Sequence, residues 1–213
     1  MPRSATHKAR TRARIVEAAA RAFRERGVET VAIADVMHAA GLTHGGFYAH
    51  FPNKDALVAA ATARGLIDSR QEFVAEAAAA NPEAPLREVI RRYVSRSHRD
   101  HPAEGCAMPA LAAEIAREPS EVRRAFTSAL EEYVTQLMEY VPGDTPEDRR
   151  DAALVLAAGM AGAVAISRAV DDPHLSDRLL LAARRFYTDT LAGNAPATTG
   201  EQDPTSGPRA EDM

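Results

Sequence analysis

Apolar residues recur at helical spacing in segment after segment of this chain, and the pattern predicts an all-α fold. From Lys8 to Arg26, residues Ile15, Val16, Ala19, Ala22 and Phe23 share one face, and Gly27 follows as a natural helix terminator. Ile33, Val36, Met37 and Ala40 mark a short helix that stops before Gly41, a residue suited to positive φ at a turn. Thr43 then stands where an N-cap is wanted, with Phe47 and Phe51 pointing to one side of a second short helix. His44, Gly45, Tyr48 and His50 are left for its exposed side.

Asn53 is expected to cap a long helix, with Asp55 in its first turn and Leu57, Ala60, Ala61, Ile67 and Val74 recurring toward Ala79. Asn81, Pro82 and Pro85 interrupt the pattern, after which one helix is expected from Leu86 to His98 and Pro102 ends it. CAMPALAAEIARE again has helical spacing, through Leu111 and Ile115, although Pro109 should leave its first turn irregular. Pro119 suits the first turn of a helix reaching Tyr140. Two long helices close the pattern, Glu147 to Val170 and Leu175 to Leu191. The first is apolar over most of its circumference, and its small residues Ala158, Gly159, Gly162 and Ala163 admit a close neighbour. Such a helix needs a core on one side and a partner subunit on the other. After Gly193 the Pro/Gly/Ser/Thr-rich residues have little to bury and read as a disordered tail.

With 213 residues, 46% hydrophobic and 26% charged, the chain fits one large domain or two small ones. No uninterrupted apolar run reaches the roughly 20 residues of a membrane span, and residues 1–14 lack the apolar centre of a signal peptide. A cytoplasmic location is expected, in keeping with a single cysteine. The net charge of −4 conceals an asymmetry, because residues 1–54 carry nine Lys/Arg against four Asp/Glu. The basic end carries the two short helices, and local positive charge attracts phosphates while an acidic remainder avoids them.

Gly45 and Gly46 side by side are poor helix formers, and they serve either an ordinary turn or a close approach to another surface such as a DNA groove. The segment GLTHGGFYAHFPNKDAL, with ARIVEAAARAFRERG before it, resembles the helix-turn-helix of the TetR family, over Thr11 to Leu57. The resemblance implies a three-helix DNA-binding domain over residues 1–54, a larger helical ligand-binding and dimerisation domain over 55–192, and the tail over 193–213. It implies a homodimer on a palindromic double-stranded DNA operator, held through a bundle of the last two long helices, and released as a repressor by a small hydrophobic effector. Thr43, His44 and Gly45 would face base edges, with Gly46 and His50 beside them. Tyr48 and Lys54 would hold phosphate, as would Arg10, Arg12 and Arg14 unless they merely face solvent. Ala32 departs from the family, which commonly has Thr or Ser there, and Thr30 is the nearest substitute. An effector pocket is likewise implied rather than read from any motif. Tyr93, Met108, Leu111, Phe126, Leu130, Tyr133, Leu137, Met138 and Met160 would surround it, or would simply be core.

His98, His101, Glu104 and Cys106 lie within nine residues, but not at the spacing of a structural zinc site, so neither metal nor cofactor is expected. Cys106, at a helix start where a thiolate is favoured, is the residue of an alternative reading as a thiol-based sensor of electrophiles or oxidants. Nothing resembles a phosphate-binding Gly loop, a CxxC pair or HExxH, and an all-helical enzyme would need a catalytic cluster that is not evident.

Overall fold

The computed structural model describes residues 2–193, with side chains from residue 6. Helices α1 (Pro2–Arg26) and α2 (Ile33–Ala39), a 3₁₀ helix (His44–Ala49) and α3 (Lys54–Arg70) follow one another, and α3 continues through a π-helical turn (Gln71–Glu76) into α4 (Ala77–Ala80). Then come α5 (Pro85–Tyr93), α6 (Arg96–Asp100), α7 (Ala107–Ile115), α8 (Ser120–Leu137), α9 (Pro146–Ala169) and α10 (Pro173–Tyr187), the last running into a π-helical turn (Thr188–Ala192). No strand occurs among the described residues, as the periodicity requires. The tail from residue 194 onward lies outside them.

The N-terminal unit forms for the reasons its pattern supplies. Ile15, Ala19 and Phe23 of α1 are buried against Val36 and Met37 of α2, Phe47, Phe51 and Leu57. Burying one such side chain contributes roughly 1.5–3 kcal/mol, so this small cluster is enough to fix three short elements. Gly27 ends α1 at φ 84° and Gly41 ends α2 at φ 68°, both in the left-handed region where a side chain is strained. Asn53 caps α3, its side chain accepting the Ala56 N–H at 2.8 Å.

In the larger unit α3 lies along α8, and α9 lies along α10. Leu66, Ile90, Tyr93, Tyr133, Leu137, Leu156, Met160 and Val164 are buried between them. The helix expected from Leu86 to His98 is instead broken. Val94 leaves helical geometry at φ −89° and ψ 71°, and the Ser95 hydroxyl caps α6 by accepting the His98 N–H at 3.1 Å. The helix expected to reach Tyr140 stops at Leu137. Pro109 falls at the third position of α7, where N–H groups lack intrahelical partners anyway, so the expected irregularity is absent.

Helix α9 begins with a capping box, the Thr145 hydroxyl accepting the Asp148 N–H at 3.1 Å and the Asp148 carboxylate accepting the Thr145 N–H at 3.0 Å. Mean hydropathy reaches 1.7 over 18 of its residues, long and apolar enough to cross a membrane by length and composition, although the run between Asp151 and Arg168 falls short of an uninterrupted span. Ala153, Leu156, Ala157, Met160 and Val164 form a stripe of the protein core, a pattern that core helices share. The opposite face is uncovered in the single chain: Val155 is 65% exposed and Ile166 56%, beside Leu181 at 56% and Phe186 at 63% on α10. Of the small residues on α9, Gly159 receives Tyr187 of α10, whose hydroxyl occupies the place a Cβ would take, whereas Gly162 faces open space.

Candidate nucleic-acid interface and regulatory core

Paired glycines bias residues 44–49 away from an α-helix, and the segment is a 3₁₀ helix, with the Gly46 N–H on Thr43 O at 3.1 Å and the His50 N–H on Phe47 O at 2.9 Å. Thr43 has the extended backbone of an N-cap, yet its hydroxyl accepts no backbone N–H, which corrects the capping role expected of it. The hydroxyl stays on the surface. Phe47 and Phe51 stack at 5.8 Å inside the unit and aim the rest of the segment outward. Thr43, His44 and Gly45 are exposed, and Tyr48 is 67% exposed with its ring edge-on to Phe47. His50, expected on the exposed side, is only half-buried, with a buried Nδ1 that has no partner.

The two glycines differ in what surrounds them. A Cβ on Gly46 would touch Met37 at 3.6 Å, an ordinary contact, while a Cβ on Gly45 would meet nothing within 4 Å. Neither has positive φ. The fold itself therefore does not require glycine at 45.

The basic residues around this face are partly engaged. Arg14 donates through Nη2 to the Ala40 carbonyl at the end of α2, and the Arg12 guanidinium lies 4.5 Å from the Phe51 ring centre. Both brace the helix-turn-helix as well as facing water. Lys54 Nζ donates to the Val28 carbonyl at 2.7 Å, leaving two of its three ammonium hydrogens available. Ala32 has no oxygen to cap α2, and only the Asp35 carboxylate reaches back, accepting the Ala32 N–H at 3.4 Å. Thr30 does not take over that role, since its hydroxyl donates to the Arg26 carbonyl.

The residues expected around an effector are in the core. Tyr93, Met108, Leu111, Tyr133, Leu137 and Met160 are buried, and Phe126, Leu130 and Met138 pack partly buried against them. A surface cleft of about 290 Å³ beside α6 is lined by other residues, among them Phe73, Arg91, Arg92, Ser97 and His98. His98 is held neutral. Its Nδ1–H donates to Tyr93 O at 2.7 Å, its Nε2 accepts the Cys106 N–H at 2.8 Å, and burial lowers its pKa to about 4. His101 is bonded to Ser97 O and Glu104 is paired with Arg21, so these groups do not converge on one point. Cys106 is the N-cap of α7 but fully buried, and burial pushes its thiol up, opposite to the shift expected from a helix N-terminus. Ser69 and Tyr93 beside the sulfur only partly offset that burial.

Three residues escaped the pattern. Glu114 Oε2 accepts the Val28 N–H at 2.7 Å, Arg24 donates to the Ala103 carbonyl at 2.9 Å, and Arg168 donates to Arg99 O at 3.0 Å. Only Arg24 had a local signal, being an arginine placed four residues after Ala20 on the buried side of α1.

Residues 15–61 match the family described as bacterial regulatory proteins, tetR family. Over 62 residues the chain is 50% identical to the HTH-type transcriptional regulator TtgR of Pseudomonas putida and, to the same degree, to the probable HTH-type transcriptional regulator ArpR of the same species. That stretch is 29% of this chain and only 27% of either relative. Similar solved structures cover far more. They include a TetR-family regulator from Cytophaga hutchinsonii (TM-score 0.68, 22% identity, 86% of this chain and 96% of that one). The reduced form of Escherichia coli NemR is similar too (TM-score 0.67, 18% identity, 85% and 97%), as is SCO4454, a TetR-family regulator from Streptomyces coelicolor (TM-score 0.60, 26% identity, 84% and 95%). Residues 15–61 thus carry the helix-turn-helix of the tetR family of bacterial regulatory proteins, and the described residues share the fold of these TetR-family structures.

Proposed function

We propose that this protein is a transcriptional regulator, a repressor rather than an enzyme, that binds a palindromic DNA operator in the cytoplasm as a homodimer and leaves it when a small molecule binds. Residues 1–54 serve as the DNA-binding domain and 55–192 as the effector-binding and dimerisation domain. The observation that carries the reading is the exposed 3₁₀ helix with Gly45 at its tip, a glycine without internal need at a place where only an outside surface limits the side chain. Thr43, His44 and Gly45 face base edges, while Tyr48, Lys54 and the arginines of α1 take phosphates. Contacts to phosphate position the protein and contacts to bases specify the site. Gly46 and His50 support that face.

Dimerisation is supported by the uncovered apolar side chains of α9 and α10, since contiguous exposed apolar surface marks an interaction site. The second reading, thiol sensing through Cys106, is disfavoured by full burial and a raised thiol pKa, both of which suppress the reactive thiolate. A gel shift with the DNA upstream of the protein's own gene tests the proposal. A discrete complex that competitor DNA of unrelated sequence cannot displace is expected, and its absence at micromolar protein would refute the reading.

A further inference from the structure

Beneath the cleft beside α6 the core is polar. The Tyr133 hydroxyl, completely buried, has no hydrogen-bond partner, and the equally buried Tyr93 hydroxyl has only the Cys106 thiol beside it. Two guanidinium groups approach the same place. Arg24 comes from α1 and Arg168 from α9; each is bonded only to backbone carbonyls, and each keeps a buried Nη1 with no acceptor. Cys106 is their common neighbour, interacting electrostatically with both arginines and both tyrosines.

The acidic groups in range do not cancel this charge. Asp68, Glu104 and Glu72 act on Arg24 and Asp100 on Arg168, but Asp68 is bonded to Arg64, Glu104 to Arg21 and Asp100 to Arg99, and burial pushes the Glu72 carboxyl up. The cluster therefore holds two positive charges only partly offset, with the Tyr133 hydroxyl and one Nη1 of each arginine left without an acceptor. Buried donors are ordinarily paired, and unpaired ones point to a missing group. An apolar effector would leave every one of them unmet.

Resting on the reading of the protein as effector-controlled, we propose that this cluster is the effector site and that it takes a small organic anion whose charge sits on oxygen, the Tyr93 and Tyr133 hydroxyls donating to it and Arg24 and Arg168 supplying the counter-charge. The way in is short. Phe73 and His98 line the cleft, and the Tyr93 ring packs directly on both, at 5.3 and 4.6 Å between centres, so one layer of aromatic rings separates the cleft from the hydroxyls. Phe73 sits in the π-helical turn of the connector, an irregularity that recurs at functional sites. Arg24 also gives the site its reach to DNA. It belongs to α1, its Nε and Nη2 hold the Ala103 carbonyl, and its Nη1 would lie 2.8 Å from a Cβ at Gly65 of α3. An anion drawing on that guanidinium acts on helices of both domains at once.

The test is calorimetric titration of the purified full chain, without DNA, with benzoate, salicylate and hexanoate, and with the neutral benzamide and the cationic benzylammonium as controls. Saturable binding of at least one carboxylate and of neither control is expected. Tyr93→Phe and Tyr133→Phe should each weaken it at least tenfold, and Tyr133→Phe should keep or raise the thermal midpoint, because the hydroxyl it removes is unpaired in the free protein. Arg168→Lys, which keeps the charge, should weaken it less than Arg168→Gln. The proposal is overturned if no carboxylate binds at millimolar concentration, if benzamide binds as well, if both Phe variants bind like wild type, or if Tyr133→Phe lowers the midpoint. DNA binding is measured separately, so failure here leaves the operator reading standing, and failure there leaves this one.

Discussion

The Glu114 carboxylate of α7 accepts the backbone N–H of Val28 at 2.7 Å, across 86 residues of sequence, and thereby ties α7 to the junction between α1 and α2. The Val28 carbonyl is taken as well, by Lys54 Nζ at 2.7 Å. Both polar backbone groups of one buried residue are thus held by side chains from other elements. Gly27 beside it admits the carboxylate, for a Cβ there would stand 2.8 Å from Glu114 Oε1.

Removing the acceptor leaves the Val28 N–H buried and unpaired, which costs about 1–3 kcal/mol. Glu114→Ala should lower stability by that amount in urea unfolding, and Glu114→Gln, which keeps an acceptor oxygen, by less. Equal effects of the two would mean that the negative charge, rather than the hydrogen bond, does the holding.

His98 predicts an acid sensitivity. Burial lowers its pKa in the folded protein from 6.5 to about 4, and an unfolded histidine takes up its proton near 6.5. Below that pH the unfolded state binds the extra proton, so the contribution of His98 is complete above about 6.5 and is lost as pH falls toward 4. The shift corresponds to about 3 kcal/mol over that window. Unfolding free energies from pH 7 to 4 should show this slope, and His98→Asn should flatten it.

The exposed apolar residues of α9 and α10 predict the assembly. Phe186→Glu together with Leu181→Glu places charges where a partner helix would lie. Light scattering at micromolar concentration should give a dimer for the wild type and a monomer for the double variant, with helical content unchanged. A monomeric wild type would remove the basis for a palindromic operator.

Much of this architecture is legible in local sequence because its causes are local. Gly27 and Gly41 end helices through their own backbone freedom, Asn53 caps the helix that begins one residue later, and the Phe47/Phe51 pair fixes its face by spacing alone. What escapes is set by distant partners. The break at Val94 and Ser95 accompanies a ring, His98, lodged between Tyr93 O and the Cys106 N–H. Glu114 reads as an ordinary solvent-facing glutamate until α7 is seen beside Val28. Tyr133 is legible as an apolar position, but its unpaired hydroxyl emerges only once every neighbour is in place.

The proposed DNA-binding face gives Lys54 and His44 different parts. Lys54→Ala should weaken every DNA sequence about equally and reduce the slope of log affinity against log salt by about one unit. His44→Ala should alter the ranking of operators with little change in that slope. Identical losses from both variants on all sequences would contradict the assignment of phosphate to one and base edges to the other.

The central claim, that the face from Thr43 to His50 lies against DNA, is tested most directly at Gly45. Gly45→Ala adds one methyl into open space and favours helix by up to about 1 kcal/mol, so the folded protein should be as stable as wild type or more so. Fluorescence anisotropy of labelled upstream DNA, titrated with both proteins beside their urea unfolding curves, makes the comparison. The account predicts unchanged or raised stability with operator affinity reduced at least tenfold. Undiminished operator affinity in a stable Gly45→Ala protein would contradict it.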